Sequence, residues 1–87
     1  MTKSFNYTFE DQSAESTLTF ECSDDERFKV IVEEGVAVVY ATKAALGTLA
    51  RIFAKMALSD YEDGFHVHLE EDFEPGNPEA LRVVIDG

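Results

Sequence analysis

Hydrophobic side chains alternate with polar ones in several short runs, and a period of two predicts β-strands. The first two runs lie at residues 5–9 and 18–22, with an aromatic or aliphatic side chain, or Cys22, at every second position. A polar loop separates them, so the sequence predicts an N-terminal hairpin over residues 4–22. Two more strands are predicted at 28–32 and 36–41, because the Gly-containing link Glu33-Glu34-Gly35 between them is typical of a hairpin turn.

The run at 36–41 reads VAVVYA and is apolar on both faces, which predicts a central strand covered on both sides. Thr42 follows as a candidate N-cap, and the spacing predicts a helix over about 43–58. The predicted apolar stripe of this helix consists of Leu46, Leu49, Ala50, Phe53 and Ala57. The predicted opposite face carries its cations, Lys43, Arg51 and Lys55.

The segment 65–70 alternates most regularly, so we expect its apolar side chains on one face and His66, His68 and Glu70 on the other. A turn rich in Pro and Gly follows, and residues 81–86 form the last predicted strand. The predicted fold is α+β, with strands and helix in the order ββββαββ. Short links favour antiparallel pairing, with the helix packed on one face of a single sheet. A length of 87 residues predicts one domain, 1–87.

The charge of the chain limits the classes of function that are compatible with it. The chain has 18 acidic and 7 basic residues and a net charge of -11, which argues against direct binding to a phosphate backbone. The acidity either only keeps the protein soluble or attracts a basic protein. Nine acidic residues fall within 1–34 and nine within 60–86, whereas 35–59 has none and carries three cations. An acidic surface must therefore come from turns and strand edges outside the helix.

Cys22 is the only cysteine, so no intramolecular disulfide is expected. The first residues lack the apolar run of a signal peptide, and no stretch approaches the length of a membrane span. We therefore expect a cytoplasmic protein without a membrane partner.

Acidic turns that also contain aromatic residues flank the predicted strand 65–70. Aromatic side chains beside charged ones are common at the energetic centres of protein interfaces. Acidic turns are also commonly just solvated loops. The candidate partner-binding residues are Tyr61, Glu62, Asp63, His66, His68, Glu70, Glu71, Asp72 and Phe73.

His66 and His68 are the one pattern that suggests metal chemistry, because two imidazoles on one strand face could bind a transition metal together with Glu70. Core or surface packing explains the pair more simply than a metal site does, and contact with a partner is the next alternative. No nucleophile lies in a Gly-flanked elbow, and no Gly-rich phosphate loop is present. We therefore predict neither an enzyme nor a cofactor.

The second half of the chain carries a recognisable series of residues. Leu46, Leu49 and Ala50 in the helix precede Gly64-Phe-His-Val-His-Leu-Glu70, and a terminal strand with Leu81 and Ile85 follows. Residues 36–86 thereby resemble immunity protein family thirty-two of bacterial polymorphic toxin systems. The resemblance implies tight, non-covalent neutralisation of a cognate toxin domain, often a nuclease, inside the producing cell. The N-terminal hairpin lies outside it.

Three hypotheses follow. The first is an immunity-type inhibitor of a toxin with a basic surface, and the negative charge agrees with it. The second is an acidic interaction or regulatory domain that forms a homodimer through a sheet edge or face, so the expected state is a monomer or weak homodimer. The third is a metal-dependent enzyme centred on His66 and His68.

Overall fold

The computed structural model describes all 87 residues and has the element order ββαββ. Its elements are β1 (Phe28–Glu33), β2 (Val36–Ala41), α1 (Lys43–Leu58), β3 (His66–Glu70) and β4 (Glu79–Val84). Short 3-10 turns lie at Ser13–Glu15 and Glu71–Phe73. The α+β class is therefore confirmed, and so is the helix at 43–58.

The strands form two separate antiparallel hairpins and not the single sheet that was predicted. In the first hairpin β1 pairs with β2 from Phe28↔Ala41 to Glu33↔Val36, across a turn whose two residues, Glu34 and Gly35, both have positive φ. Such a turn matches the twist of a tight hairpin. In the second hairpin β3 pairs with β4, and the register shifts by one residue after Leu69.

The predicted N-terminal hairpin over residues 4–22 is wrong, because residues 1–27 contain no strand. Alternation describes which side chains could share a face, but a strand also needs a neighbouring backbone. Here side chains attach the segment instead. The Lys55 ammonium donates to the Thr19 carbonyl at 2.5 Å. Within the segment, the Gln12 amide donates to the Thr19 hydroxyl and accepts from the Thr19 amide.

Helix α1 begins as predicted, because the Thr42 hydroxyl accepts a hydrogen bond from the Ala45 amide at 3.2 Å. Its buried stripe differs from the predicted one: Leu46 and Phe53 are exposed. The residues that α1 buries are Ala45, Thr48, Leu49, Ile52 and Met56. Two apolar stripes overlap at Leu49 in this sequence, and periodicity alone does not say which one meets the sheets. No helix here reaches the length and apolarity needed to cross a bilayer.

Strand β2 is not the covered central strand that its composition predicted. It pairs with β1 alone, and its Val36 and Val39 side chains are 60% and 46% exposed. Covering this hairpin would need a second layer of structure. The N-terminal segment, which could have formed it, packs elsewhere, and 87 residues leave little other chain to do so.

The core lies between α1 and the inner faces of the two hairpins. Besides the apolar helix residues it contains Phe28 of β1, Leu69 of β3 and Phe73 of the following turn. The Phe73 ring stacks on Phe28 with centroids 4.9 Å apart and meets the edge of Phe20 at 5.7 Å. This aromatic cluster joins both hairpins to the N-terminal segment.

Candidate functional site

The outer face of the second hairpin carries the two predicted histidines, as the alternation in β3 requires. Both are exposed, and their rings meet edge to face with centroids 5.0 Å apart. The Nδ1–H of His66 donates to the Gly64 carbonyl at 3.0 Å, and that of His68 donates to the Glu79 carboxylate at 2.6 Å. These bonds leave both Nε2 atoms free for an external group.

Glu79 organises this outer face. Arg82 donates to it from Nη2 at 2.9 Å and from Nε at 3.2 Å, beside the bond from His68. The Arg82 bonds, followed by the bond from His68, lower the pKa of Glu79 to about 2. We call His66, His68, Glu79 and Arg82 the histidine face. Glu79 and Arg82 were not among the predicted site residues, although the cross-strand pair His68↔Arg82 follows once the register is known.

The loop after α1 places Tyr61 half-buried, stacked on Phe65 with centroids 4.0 Å apart. Its hydroxyl donates to the Thr17 carbonyl at 2.5 Å. Glu62 and Asp63 are exposed on the same loop, and Asp63 accepts a bond from the Gly87 amide at 2.8 Å. Tyr61 thus supports the loop and attaches it to the N-terminal segment.

The N-terminal segment brings two more carboxylates to this loop. Asp11 accepts hydrogen bonds from the Ser13 amide at 2.8 Å and the Asp60 amide at 3.2 Å. Burial, with Asp11 and Glu15 adding negative charge, raises the pKa of the Tyr61 hydroxyl. We call Asp11, Glu15 and Asp60 the Asp11 cluster. The sequence did not predict this cluster, because the bonded residues Asp11 and Asp60 are 49 positions apart in the chain.

Of the predicted partner-binding residues at the end of β3 and in the turn after it, two have structural roles and two remain available to a partner. Phe73 is 6% exposed and belongs to the core. Asp72 adopts a left-handed conformation with φ 58 and accepts a bond from the Phe28 amide at 2.9 Å. Glu70 and Glu71 are half-exposed, and their carboxylates bond no other side chain. Of this group, Glu70 and Glu71 are the side chains that remain available to a partner.

A second acidic surface lies where this turn meets residues 22–27. A groove of about 290 Å³ is lined by Cys22, Ser23, Asp24, Arg27, Asp72, Glu74 and Asn77. Arg27 approaches Asp72 at 3.7 Å and is the only cation of the lining. Partial burial, with Glu26, Glu74 and Asp24 adding negative charge, raises the pKa of the Cys22 thiol. We call this surface the Asp24 groove.

At Ser23 the groove adjoins a buried polar network that holds the N-terminal segment against α1. Glu26 is 3% exposed and accepts bonds from the Thr48 hydroxyl at 2.5 Å and the Ser23 amide at 2.7 Å. Burial acts to raise the pKa of Glu26, but the bonds from Thr48 and Ser23 outweigh it, so the net pKa lies below its ordinary value. Sequence reasoning missed this pair. The signal was Ser23-Asp-Asp-Glu26, a pattern in which a carboxylate reaches back to the Ser amide.

Most of the acidic surface has no internal counter-charge. Of the 18 carboxylates, only those of Asp72 and Glu79 lie within 4 Å of a basic side chain. No group of three His, Cys, Asp or Glu side chains is arranged to hold a metal ion. Unpaired, exposed carboxylates in rigidly anchored turns can attract and orient a cationic partner.

The chain is thus an acidic domain most of whose carboxylates have no cationic partner within the fold. Residues 37–86 match the family described as Immunity protein 32, and this match covers more than half of the chain, which therefore belongs to that family. The resemblance inferred from the sequence is thus confirmed. The match begins inside β2, so β1 and the whole N-terminal segment lie outside it. No curated protein and no solved structure matches this chain.

Proposed function

We propose that this protein neutralises a cognate toxin domain by binding a basic surface on it, without itself catalysing a reaction. The family supports the toxin-neutralising role. The contact surface on the toxin is proposed to be basic because most carboxylates of this chain, whose net charge is -11, have no cationic partner of their own.

The proposed contact surface joins three neighbouring parts: the Asp24 groove, the half-exposed carboxylates of Glu70 and Glu71, and the histidine face. All three are built on or beside the second hairpin, and β3 connects the histidine face directly to Glu70. The Asp11 cluster, with Glu62 and Asp63, lies at the loop that enters β3 and extends the negative field.

The toxin that best fits this surface is a nuclease. A nuclease binds phosphates through Lys and Arg, and carboxylates of an inhibitor can occupy the same cations. Long-range attraction then speeds encounter, with association rates reaching about 10⁸ M⁻¹s⁻¹ or more at low salt. The free Nε2 atoms of His66 and His68 supply shorter-range hydrogen bonds once the proteins meet.

The first test is co-expression with the toxin domain encoded beside this gene. We expect restored growth and a stable complex. Failure of both would refute the proposed function.

The second test locates the surface. Glu70→Gln combined with Glu71→Gln removes two carboxylates that have no structural bond, so the fold should be unaffected. We expect association with the toxin to slow by about tenfold at low salt and to depend less steeply on ionic strength, with little change in dissociation. Stopped-flow binding measures both rates.

The matched control is Glu33→Gln combined with Glu34→Gln, which removes the same charge at the turn of the first hairpin. The Tyr40 hydroxyl, which donates to Glu33 at 2.8 Å, can donate to the amide oxygen of the Gln side chain instead. We expect this control to slow association by less than about twofold. Equal slowing by both pairs would mean that only net charge matters. No effect from Glu70→Gln and Glu71→Gln would place the contact elsewhere.

A further inference from the structure

The protein exposes more surface than its size requires. Its accessible area is 6360 Å², whereas a folded monomer of 9.7 kDa is expected to expose about 5,100 Å². Its radius of gyration is 13.8 Å against about 12 Å for a compact domain of this length. The excess of about 1,200 Å² is larger than the roughly 800 Å² that each partner buries in a standard interface.

Five of the eleven large hydrophobic side chains that the protein exposes lie on the first hairpin. The side chains there that are at least 40% exposed are Ile31, Val32, Val36, Val39 and Tyr40. Both faces of the hairpin contribute to this set, because Val36 and Tyr40 share one face and Val39 lies on the other. Exposed aliphatic residues gathered on one element mark an interaction surface.

The outer edge of β2 is also open. No backbone hydrogen bond joins β2 to any element except β1. Natural proteins protect an exposed edge strand with a charge, a proline or a bulge. The six residues of β2 include none of these, and their pairing with β1 is regular throughout.

Charge identifies the occupant. The acidic residues lie outside 35–59, so no residue of β2 is acidic, and the one carboxylate bonded to a β2 side chain is that of Glu33, which accepts from the Tyr40 hydroxyl at 2.8 Å. A basic toxin gains nothing electrostatically from this strand. A second copy of the chain, which carries the same charge of -11, approaches with least repulsion where acidic residues are fewest, which is along β2.

We propose that two copies of this chain pair through β2, edge to edge and antiparallel, and form a continuous four-stranded sheet in the order β1-β2-β2-β1. Such a pair is related by a two-fold axis perpendicular to the sheet, so the same face of each copy lies on the same side. Val36, Val38 and Tyr40 of one copy then adjoin those of its partner and cover one another. The dimer leaves the second hairpin free for the toxin.

Sedimentation velocity over about 5 to 500 µM tests the pairing. We expect the mass to rise from 9.7 kDa to twice that value with concentration. Because the two copies repel each other, the dimer Kd should fall at least about threefold between roughly 20 mM and 500 mM NaCl. Toxin binding is expected to weaken with salt, so the two associations are distinguishable by the sign of this dependence.

Val36→Lys is the disruptive variant, since this side chain is 60% exposed and contributes little to the monomer fold. The substitution occurs twice in a symmetric interface, and we expect the dimer Kd to rise at least tenfold. Leu58→Lys is the matched control, because Leu58 is an aliphatic residue 73% exposed at the end of α1. It should leave the dimer Kd within about twofold.

Circular dichroism and thermal melts establish that both variants remain folded. A wild-type protein that stays monomeric at the highest concentration and salt would overturn the proposal. So would equal loss of dimer in both variants. A monomer whose toxin affinity falls only in Val36→Lys would instead show that the toxin occupies β2.

Discussion

The buried pair of Glu26 and Thr48 gives the sharpest test of how the N-terminal segment is held. Thr48→Val keeps the shape of the side chain but removes the hydroxyl that donates to Glu26 at 2.5 Å. A hydrogen bond to a charged group contributes about 1.5–3 kcal/mol, and a buried carboxylate left short of a donor costs a similar amount. We expect the free energy of unfolding to fall by about 2 kcal/mol at pH 7. For a domain of this size the Tm should fall by about 8 to 16 °C.

The cost should depend on pH. The folded-state pKa of Glu26 lies below its ordinary value of 4.5, so its stabilising contribution is fully present above 4.5 and is lost as the pH falls through the folded-state pKa. Without the Thr48 bond, the pKa of Glu26 should rise, because the remaining bonds from Ser23 and the charge of Arg51 offset less of the effect of burial. Thr48→Val should therefore cost most at neutral pH and least near pH 3, on the acid side of the pI of about 4.3.

Urea unfolding followed by circular dichroism, at pH 7 and about pH 3, measures both free energies. Thr17→Val is the matched control, because the Thr17 side chain is exposed and makes no hydrogen bond, and we expect a change below about 0.5 kcal/mol. A double-mutant cycle with Glu26→Gln isolates the pair. A loss from Thr48→Val that is small at pH 7, or equal at both pH values, would refute the reasoning.

Three further predictions concern the second hairpin. Phe73→Ala should cost about 3–5 kcal/mol in urea unfolding because it removes a buried ring from the aromatic cluster, whereas Phe5→Ala, at a side chain 58% exposed, should cost less than about 0.5 kcal/mol. Asp72→Asn should be tolerated, since Asn accepts the same amide bond and a left-handed φ, while Asp72→Ala should cost about 1–3 kcal/mol in the same assay. Arg82→Gln should raise the pKa of Glu79 from about 2 toward its ordinary value of 4.5, measured by an NMR titration of the side-chain carboxyl; an unchanged pKa would contradict the assigned cause.

Predictions from the sequence succeeded where residues close together in the chain were enough to determine a helix or a turn. Thr42 supplies the helix cap, no proline interrupts 43–58, and the turn at Gly35 joins neighbouring strands, so local chemistry was enough to place these elements. Alternation in β3 likewise placed His66 and His68 on one shared face, and the structure shows that this face is the outer one.

Predictions failed where the answer depended on which distant surface was available. The alternating pattern at residues 5–9 and 18–22 does not show whether another strand lies beside these residues, and in the structure none does. In α1 the stripe through Leu46 and Phe53 is as apolar as the one through Ile52, and only the position of the hairpins decides which is buried. The Asp11 cluster and the Asp24 groove each combine residues that are far apart in the sequence, so neither forms a recognisable sequence motif.

The attachment of the N-terminal segment by side chains also sets an order of folding. Its bonds to the rest of the protein span 36 residues from Thr19 to Lys55, 44 from Thr17 to Tyr61 and 49 from Asp11 to Asp60. Contacts this distant in sequence form late, because a long loop must close before they contribute. The hairpins and α1 rely on short loops and can form first. We therefore expect the Asp11 cluster to be completed last, so that a partly folded chain lacks this part of its acidic surface.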